Sequence, residues 1–67
     1  MVEYKVERTV AEIGSTGKKL TVTQWNSYPA KLDLRTWKDG KPGKGMTLSD
    51  EEAEGLYHAL GVYLHGE

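Results

Sequence analysis

Two tryptophans, Trp25 and Trp37, each close a short alternating stretch of cations and hydroxyls. Lys19, Thr21 and Thr23 precede the first at every second position, and Lys31, Asp33 and Arg35 precede the second. An indole offers a flat π-face, lysine and arginine neutralise anions, and a threonine hydroxyl donates hydrogen bonds. Side chains on a strand alternate between faces with a period of two. In a strand over residues 18 to 26, Leu20 and Val22 share one face, and Lys19, Thr21, Thr23 and Trp25 share the other. Over residues 31 to 38, Leu32 and Leu34 point one way, and Lys31, Asp33, Arg35 and Trp37 the other. A core tryptophan would stand in phase with the leucines. Neither does, so the aliphatic residues are expected to face a core and both indoles to look outward among the charges.

A sheet face with two indoles, interleaved cations and hydroxyls has the composition of a single-strand nucleic-acid platform. Every base has a π-face, so stacking on an aromatic contributes about 1–3 kcal/mol per base without demanding a sequence. Lysine and arginine track phosphates and release counterions, and threonines donate to phosphate or sugar. The same residues also fit a tryptophan pair covered by a loop or a partner chain, or held by cation–π contact with Arg35. From a different class comes a protein–protein module that docks an acidic or aromatic peptide on the Trp25/Trp37 face.

The net charge of −1 hides a strong asymmetry. Residues 15 to 47 hold Lys18, Lys19, Lys31, Arg35, Lys38, Lys41 and Lys44 against Asp33 and Asp39, a balance of +5. Residues 48 to 67 hold Asp50, Glu51, Glu52, Glu54 and Glu67 with no lysine or arginine, a balance of −5. The local field, not the overall pI, bears on partners. Lys41 and Lys44 carry the cations on past Trp37 and join the candidate binding set.

These residues need elements to position them. Residues 2 to 13 alternate, with Tyr4, Val6 and Val10 on one parity and Ile13 on the other, so a bulge or break is expected near Arg8 to Ala11. GSTG at 14 to 17 reads as a hairpin turn, and SYPA links the second strand to the third. DGKPGKG, residues 39 to 45, reads as a loop, with a short fourth strand at Met46 to Leu48. Ser49 with Glu52 three residues on has capping-box spacing, and Asp50 and Glu51 complement the helix dipole. The helix that follows places Ala53, Leu56, Tyr57, Ala59, Leu60, Tyr63 and Leu64 on an arc wider than the ~100° stripe of a one-sided helix. Such an arc calls for two partners, its own sheet and a second subunit. The expected class is α+β, a four-stranded antiparallel sheet followed by one C-terminal helix.

Sixty-seven residues make one small domain, and a chain of this size buries only about 60% of its unfolded surface. It has no cysteine, hence neither a disulfide nor the usual zinc spacings. His58 and His65 have no carboxylate or thiol partner at ligand spacing and read as solvent-facing helix residues. Oligomerisation is the remaining staple. No stretch approaches the ~20 apolar residues of a membrane span, and charge from the third residue argues against a signal peptide. A cytoplasmic protein without membrane contact is expected. GSTGKK and GKPGKGMT each lack the spacing of a phosphate-binding loop, and no catalytic constellation is present. Neither enzymatic activity, nor a metal, nor a cofactor is expected.

Residues 31 to 60, KLDLRTWKDGKPGKGMTLSDEEAEGLYHAL, resemble the single-stranded-DNA-binding domain of the positive cofactor four transcriptional coactivator family, and within it the small bacterial YdbC-like branch. The shared elements are an aliphatic–Asp–aliphatic–Arg strand (Leu32 to Arg35), a tryptophan just after it and a basic Gly-Lys-Gly run. An aliphatic–Thr–Leu strand and a capped acidic helix start complete them, and upstream TVTQWN resembles the strand bearing the other aromatic. The resemblance covers about residues 13 to 64. It implies a homodimer formed largely through the helices, here through Leu56, Tyr57, Leu60, Tyr63 and Leu64, whose two sheets present one curved surface to extended single strands; the chain is expected to bind single-stranded DNA, and RNA at lower affinity. By the same resemblance Trp25 and Trp37 match the stacking aromatics, Arg35 the strand arginine, and Lys18, Lys31 and Lys44 the basic positions. The coactivator's serine-rich tail and helix-loop lysines have no counterpart. The SYPA connection is longer than the coactivator's turn, which leaves Tyr28 as an additional stacking residue.

Overall fold

The computed structural model describes residues 3–66. Four strands, β1 (Tyr4–Ile13), β2 (Lys18–Trp25), β3 (Lys31–Lys38) and β4 (Lys41–Leu48), precede one helix, α1 (Asp50–His65). The strands form a single open sheet in chain order, each antiparallel to the next. The α+β architecture expected from the sequence is the one the chain adopts.

β1 departs from one expected bulge by having two. Its pairing with β2 shifts between Val6 and Arg8 and again between Thr9 and Ala11. The first shift falls just before the expected stretch and the second inside it. Such bulges bend and twist a strand, and on a sheet edge they blunt its capacity to recruit another strand. Val2, included in the expected strand, lies outside the described residues.

The larger correction concerns β4. The run read as a glycine-rich loop is mostly strand. Asp39 and Gly40 alone make the turn, with φ of 52° and 75°, the positive values that a two-residue type I′ hairpin requires of both positions. Pairing then resumes at once, Lys38 with Lys41 and Trp37 with Pro42. β4 is an edge strand, where a proline is tolerated because the interior ladder loses no donor. Gly45 stands directly opposite Arg35, and a Cβ there would overlap the Arg35 Cβ. The glycine lets β4 lie close against the arginine.

The helix start follows its sequence signal. Glu52 N donates to Ser49 Oγ at 3.1 Å and Ser49 N to Glu52 Oε1 at 2.9 Å, completing the capping box. The Ser49 backbone N–H, more than its side chain, holds the Glu52 carboxyl below its ordinary pKa. Gly66 closes the other end in the left-handed region, at φ 71°.

What the described residues do not form is a buried apolar core. Among the described residues no hydrophobic side chain is buried; the buried residues are Thr21, Thr23 and Asp33. Leu20, Val22, Leu32 and Leu34, expected to face a core, are only half-buried. The helix buries none of its residues and meets the sheet almost entirely at β4. Its broad arc therefore gains little from its own sheet, contrary to expectation. The radius of gyration is 12.9 Å, against about 11 Å for a compact chain of this length. The accessible surface is 5489 Å², whereas a folded monomer of this mass exposes about 4,200 Å².

Two glycine-to-alanine changes should move stability in opposite directions. Gly45→Ala forces a clash in the β3–β4 pair and is expected to cost about 1–3 kcal/mol. At Gly55 an added Cβ meets nothing within 4 Å, so Gly55→Ala should gain up to about 1 kcal/mol of helix propensity. Urea denaturation of both variants reads the signs; a neutral Gly45→Ala would show that β4 does not pack against Arg35.

Candidate nucleic-acid interface

Strand register assembles the aromatic face from distant parts of the chain. Directly paired residues share a face, so Lys19–Arg35, Thr21–Asp33 and Thr23–Lys31 form successive rungs across β2 and β3. On the outer side Tyr4 pairs with Trp25, and Val6 with Thr23. Trp25 stands four residues from Thr21 in one direction, and Trp37 four from Asp33 in the other. At about 3.3 Å per residue, a flat sheet would hold the two indoles far apart. Yet the Tyr4 ring lies 5.4 Å from that of Trp25 and 5.8 Å from that of Trp37. The face must be concave, with both indoles leaning in over the Thr21–Asp33 rung. This is why the residues at its floor are buried and those on the aliphatic face are not.

Asp33 is the centre of the floor. Its side chain is fully buried and accepts from Arg35 Nε, from Arg35 Nη2 at 2.8 Å and from Trp25 Nε1 at 2.9 Å. A buried carboxylate is tolerated only when paired and hydrogen-bonded, and these three bonds supply both conditions. The fork of Arg35 is fixed in turn by Nη1 donating to Gly43 O at 3.1 Å. Thus held, the guanidinium lies 4.5 Å from the centre of the Trp25 ring. The cation–π contact weighed from sequence is present.

The other predicted site residues fall into distinct groups. Thr21 and Thr23 are fully buried and share a hydrogen bond of 2.7 Å between their hydroxyls, so neither reaches a ligand, contrary to the donor role expected. Lys19 Nζ stands 6.0 Å from the centre of the Trp37 ring. Lys31 is exposed on the aromatic face; Lys41 and Lys44 are exposed along β4, where Lys41 pairs with Lys38 on the opposite face and Lys44 precedes the Gly45 that faces Arg35. Lys18 is not part of this assembly. It pairs with Ile13 and Thr36 on the opposite face, and its Nζ donates to Thr16 Oγ1 at 2.9 Å. Trp37 keeps a buried Nε1 with no hydrogen-bond partner. Neither tryptophan is the open outward platform expected; both are half-buried.

Tyr4 is the residue that sequence reasoning missed. Its alternation with Val6 and Val10 read as apolar patterning, while its tie to the tryptophans depends on long-range register. A shallow groove of about 380 Å³ borders the cluster, lined by Trp25, Tyr28, Pro29, Lys31, Arg35 and Thr47. On the helix, Leu56 is half-buried, and Tyr57, Leu60, Tyr63 and Leu64 are exposed. A hollow of about 570 Å³ runs beside Tyr57, Leu60, Gly61 and Leu64.

Among the described residues the ion pair is Arg35–Asp33, and it engages no lysine; His58, read from the sequence as lacking a carboxylate partner, has Nε2 3.9 Å from Oε1 of Glu54, one helical turn earlier. No three His, Asp or Glu side chains among them gather as metal ligands would. No helix is long and apolar enough to cross a membrane. No protein-family model matches the chain, and no curated protein does.

Removing Asp33 should damage the whole face. Asp33→Ala leaves the Arg35 charge, whose side chain is 16% exposed, without its partner, a change that typically costs about 3–5 kcal/mol. Arg35→Lys should also destabilise, because an ammonium cannot reproduce the planar fork. Chemical denaturation with Trp25 emission as probe measures both; a loss under about 1 kcal/mol for Asp33→Ala would mean that the carboxylate is not the anchor.

Proposed function

We propose that this chain is a non-enzymatic, largely sequence-nonspecific binder of single-stranded nucleic acid, DNA ahead of RNA, acting in the cytoplasm in transcription, replication or repair. The observation that carries this reading is an aromatic cluster, Tyr4, Trp25 and Trp37, on one concave face, bordered by lysines that form no ion pair among the described residues. Aromatic rings beside free cations match a strand that offers bases and phosphates at a regular repeat. The duplex hides its base faces and gains only the electrostatic term. With Arg35 committed to Asp33, phosphate contacts on the aromatic face fall to Lys19 and Lys31, and Lys41 and Lys44, which register sets off that face, reach a strand only from the β4 edge. The likeness of residues 31 to 60 to the positive cofactor four family supports the same reading.

The working unit in this proposal is a homodimer. The chain exposes about 1,200 Å² more surface than a compact monomer of its mass, and stable interfaces cover about 800 Å² per partner. The exposed apolar residues along α1 and the half-buried aliphatic sheet face supply the area. Packing of helices across a two-fold axis would cover both and set the two aromatic faces side by side.

Titration with oligo-dT should quench tryptophan emission strongly, while duplex of equal length does little. Absence of any response would favour the peptide-docking alternative. With four to six phosphates contacted per dimer, log K should fall against log salt with a slope of roughly −3 to −4, at about −0.7 per phosphate; a slope near zero would make the lysines bystanders.

A separate measurement addresses the dimer. Leu60 lies along the helical hollow and is 46% exposed in the single chain. Leu60→Asp would place a charge in each half of an isologous interface, at a cost of several kcal/mol, comparable to the stability of a small domain. The variant should be monomeric or unfolded in equilibrium sedimentation, with weakened strand binding. A stable wild-type monomer at tens of micromolar would remove the shared surface.

A further inference from the structure

We propose that the groove beside the β2–β3 connection seats one unstacked nucleobase of the bound strand, with Tyr28 as its stacking wall and Lys31 on the adjoining phosphate. This inference rests on the single-strand reading above and gives it a specific seat. The tryptophans alone do not provide one, since their rings already have neighbours. Trp25 carries the Arg35 guanidinium at 4.5 Å and Tyr4 at 5.4 Å, and Trp37 meets Tyr4 at 5.8 Å and Lys19 Nζ at 6.0 Å. The Tyr28 ring is far more open, at 66% exposure against 41% for Tyr4.

Tyr28 is exposed without being on a loose arm. Its backbone N–H donates to Trp25 O at 3.0 Å. Two residues earlier, Asn26 donates its N–H to Glu3 O at 2.8 Å and accepts from Glu3 N through Oδ1 at 3.2 Å. Asn26 holds φ at 51°, a left-handed conformation that asparagine tolerates better than most residues. Pro29 follows with its own φ fixed by the ring. A wall set in place before binding loses little entropy on contact.

The groove's chemistry fits a nucleotide. Trp25, Tyr28 and Pro29 give it flat apolar sides, and its volume of about 380 Å³ is at the small end of ligand grooves. Lys31 is an exposed cation on its lining. Arg35 also lines it, with two of its five N–H donors left after the bonds to Asp33 and Gly43. A flat ring with polar edges and an anion one sugar away satisfies all of these groups. An aliphatic side chain would leave the donors unused.

The test measures anisotropy of a labelled oligo-dT with wild type, Tyr28→Ala and Tyr28→Phe. Tyr28→Ala should weaken binding about tenfold, within the range measured for removal of one stacking aromatic, and Tyr28→Phe should stay within about twofold, because stacking needs the ring and not the hydroxyl. An oligonucleotide in which abasic sites replace the bases should bind wild type more weakly and bind Tyr28→Ala no worse than it binds wild type. Wild-type binding that survives Tyr28→Ala unchanged would overturn the base seat and leave the single-strand reading standing. Failure of the wild type to bind oligo-dT at all would overturn both. Thermal melts followed by circular dichroism establish that the variants are folded, as expected for a ring on the surface.

Discussion

A single buried carboxylate organises this molecule. Asp33 lies at the floor of the concave face with no exposed surface, and burying it unpaired would be prohibitive. Its partners are therefore obligatory, and each is a residue of the candidate site. Bonding to Asp33 fixes the Arg35 fork and ties down the Trp25 indole through its Nε1. The guanidinium so held lies 4.5 Å from the centre of the same indole, and Gly45 on β4 must be small because Arg35 occupies the opposite position. A buried pair of this kind adds little net stability compared with apolar residues of equal volume. Its contribution here is orientation: it sets the angle of an aromatic ring that the fold otherwise leaves free to turn.

That arrangement also divides the labour of charge. Arg35 and Asp33 cancel, so the +5 of residues 15 to 47 is carried by lysines alone once Asp39 is counted. Lysine is a compact charge on a flexible stem, suited to following a backbone of variable path, whereas arginine's fixed fork suits a single geometry. The arginine is spent on architecture and the lysines are left at the surface.

The local grammar of the chain was legible, and what depends on distant contact was not. Ser49 and Glu52 announced the helix start because both ends of a capping box lie within four residues. The faces of β2 and β3 followed from alternation, which is intrinsic to a strand. Burial did not follow, because alternation states which residues share a face and not which face is covered. Thr21 and Thr23 are buried, and Leu32 and Leu34 only half so, since the sheet curls over its polar side and a single chain leaves its aliphatic side open. The run from Asp39 to Gly45 was misread for a related reason. Proline and glycine weaken strands on average, but an edge strand held by a tight Asp-Gly turn accepts both. Tyr4 escaped notice because nothing near it in sequence points to Trp25; only the register of two strands does.

The absence of a buried apolar residue among the described ones is best understood together with the concave face. A sheet of four strands has two sides, and one helix can cover at most one of them. Here the helix covers neither well, meeting the sheet almost entirely at β4, and the chain extends to 42 Å along its longest axis. The polar side closes on itself through Asp33 and the aromatic rings, so it needs no covering layer and remains available. The aliphatic side and the helix are left with surface that water solvates poorly. The polar face is thus satisfied within one chain while the aliphatic face and the helix are not.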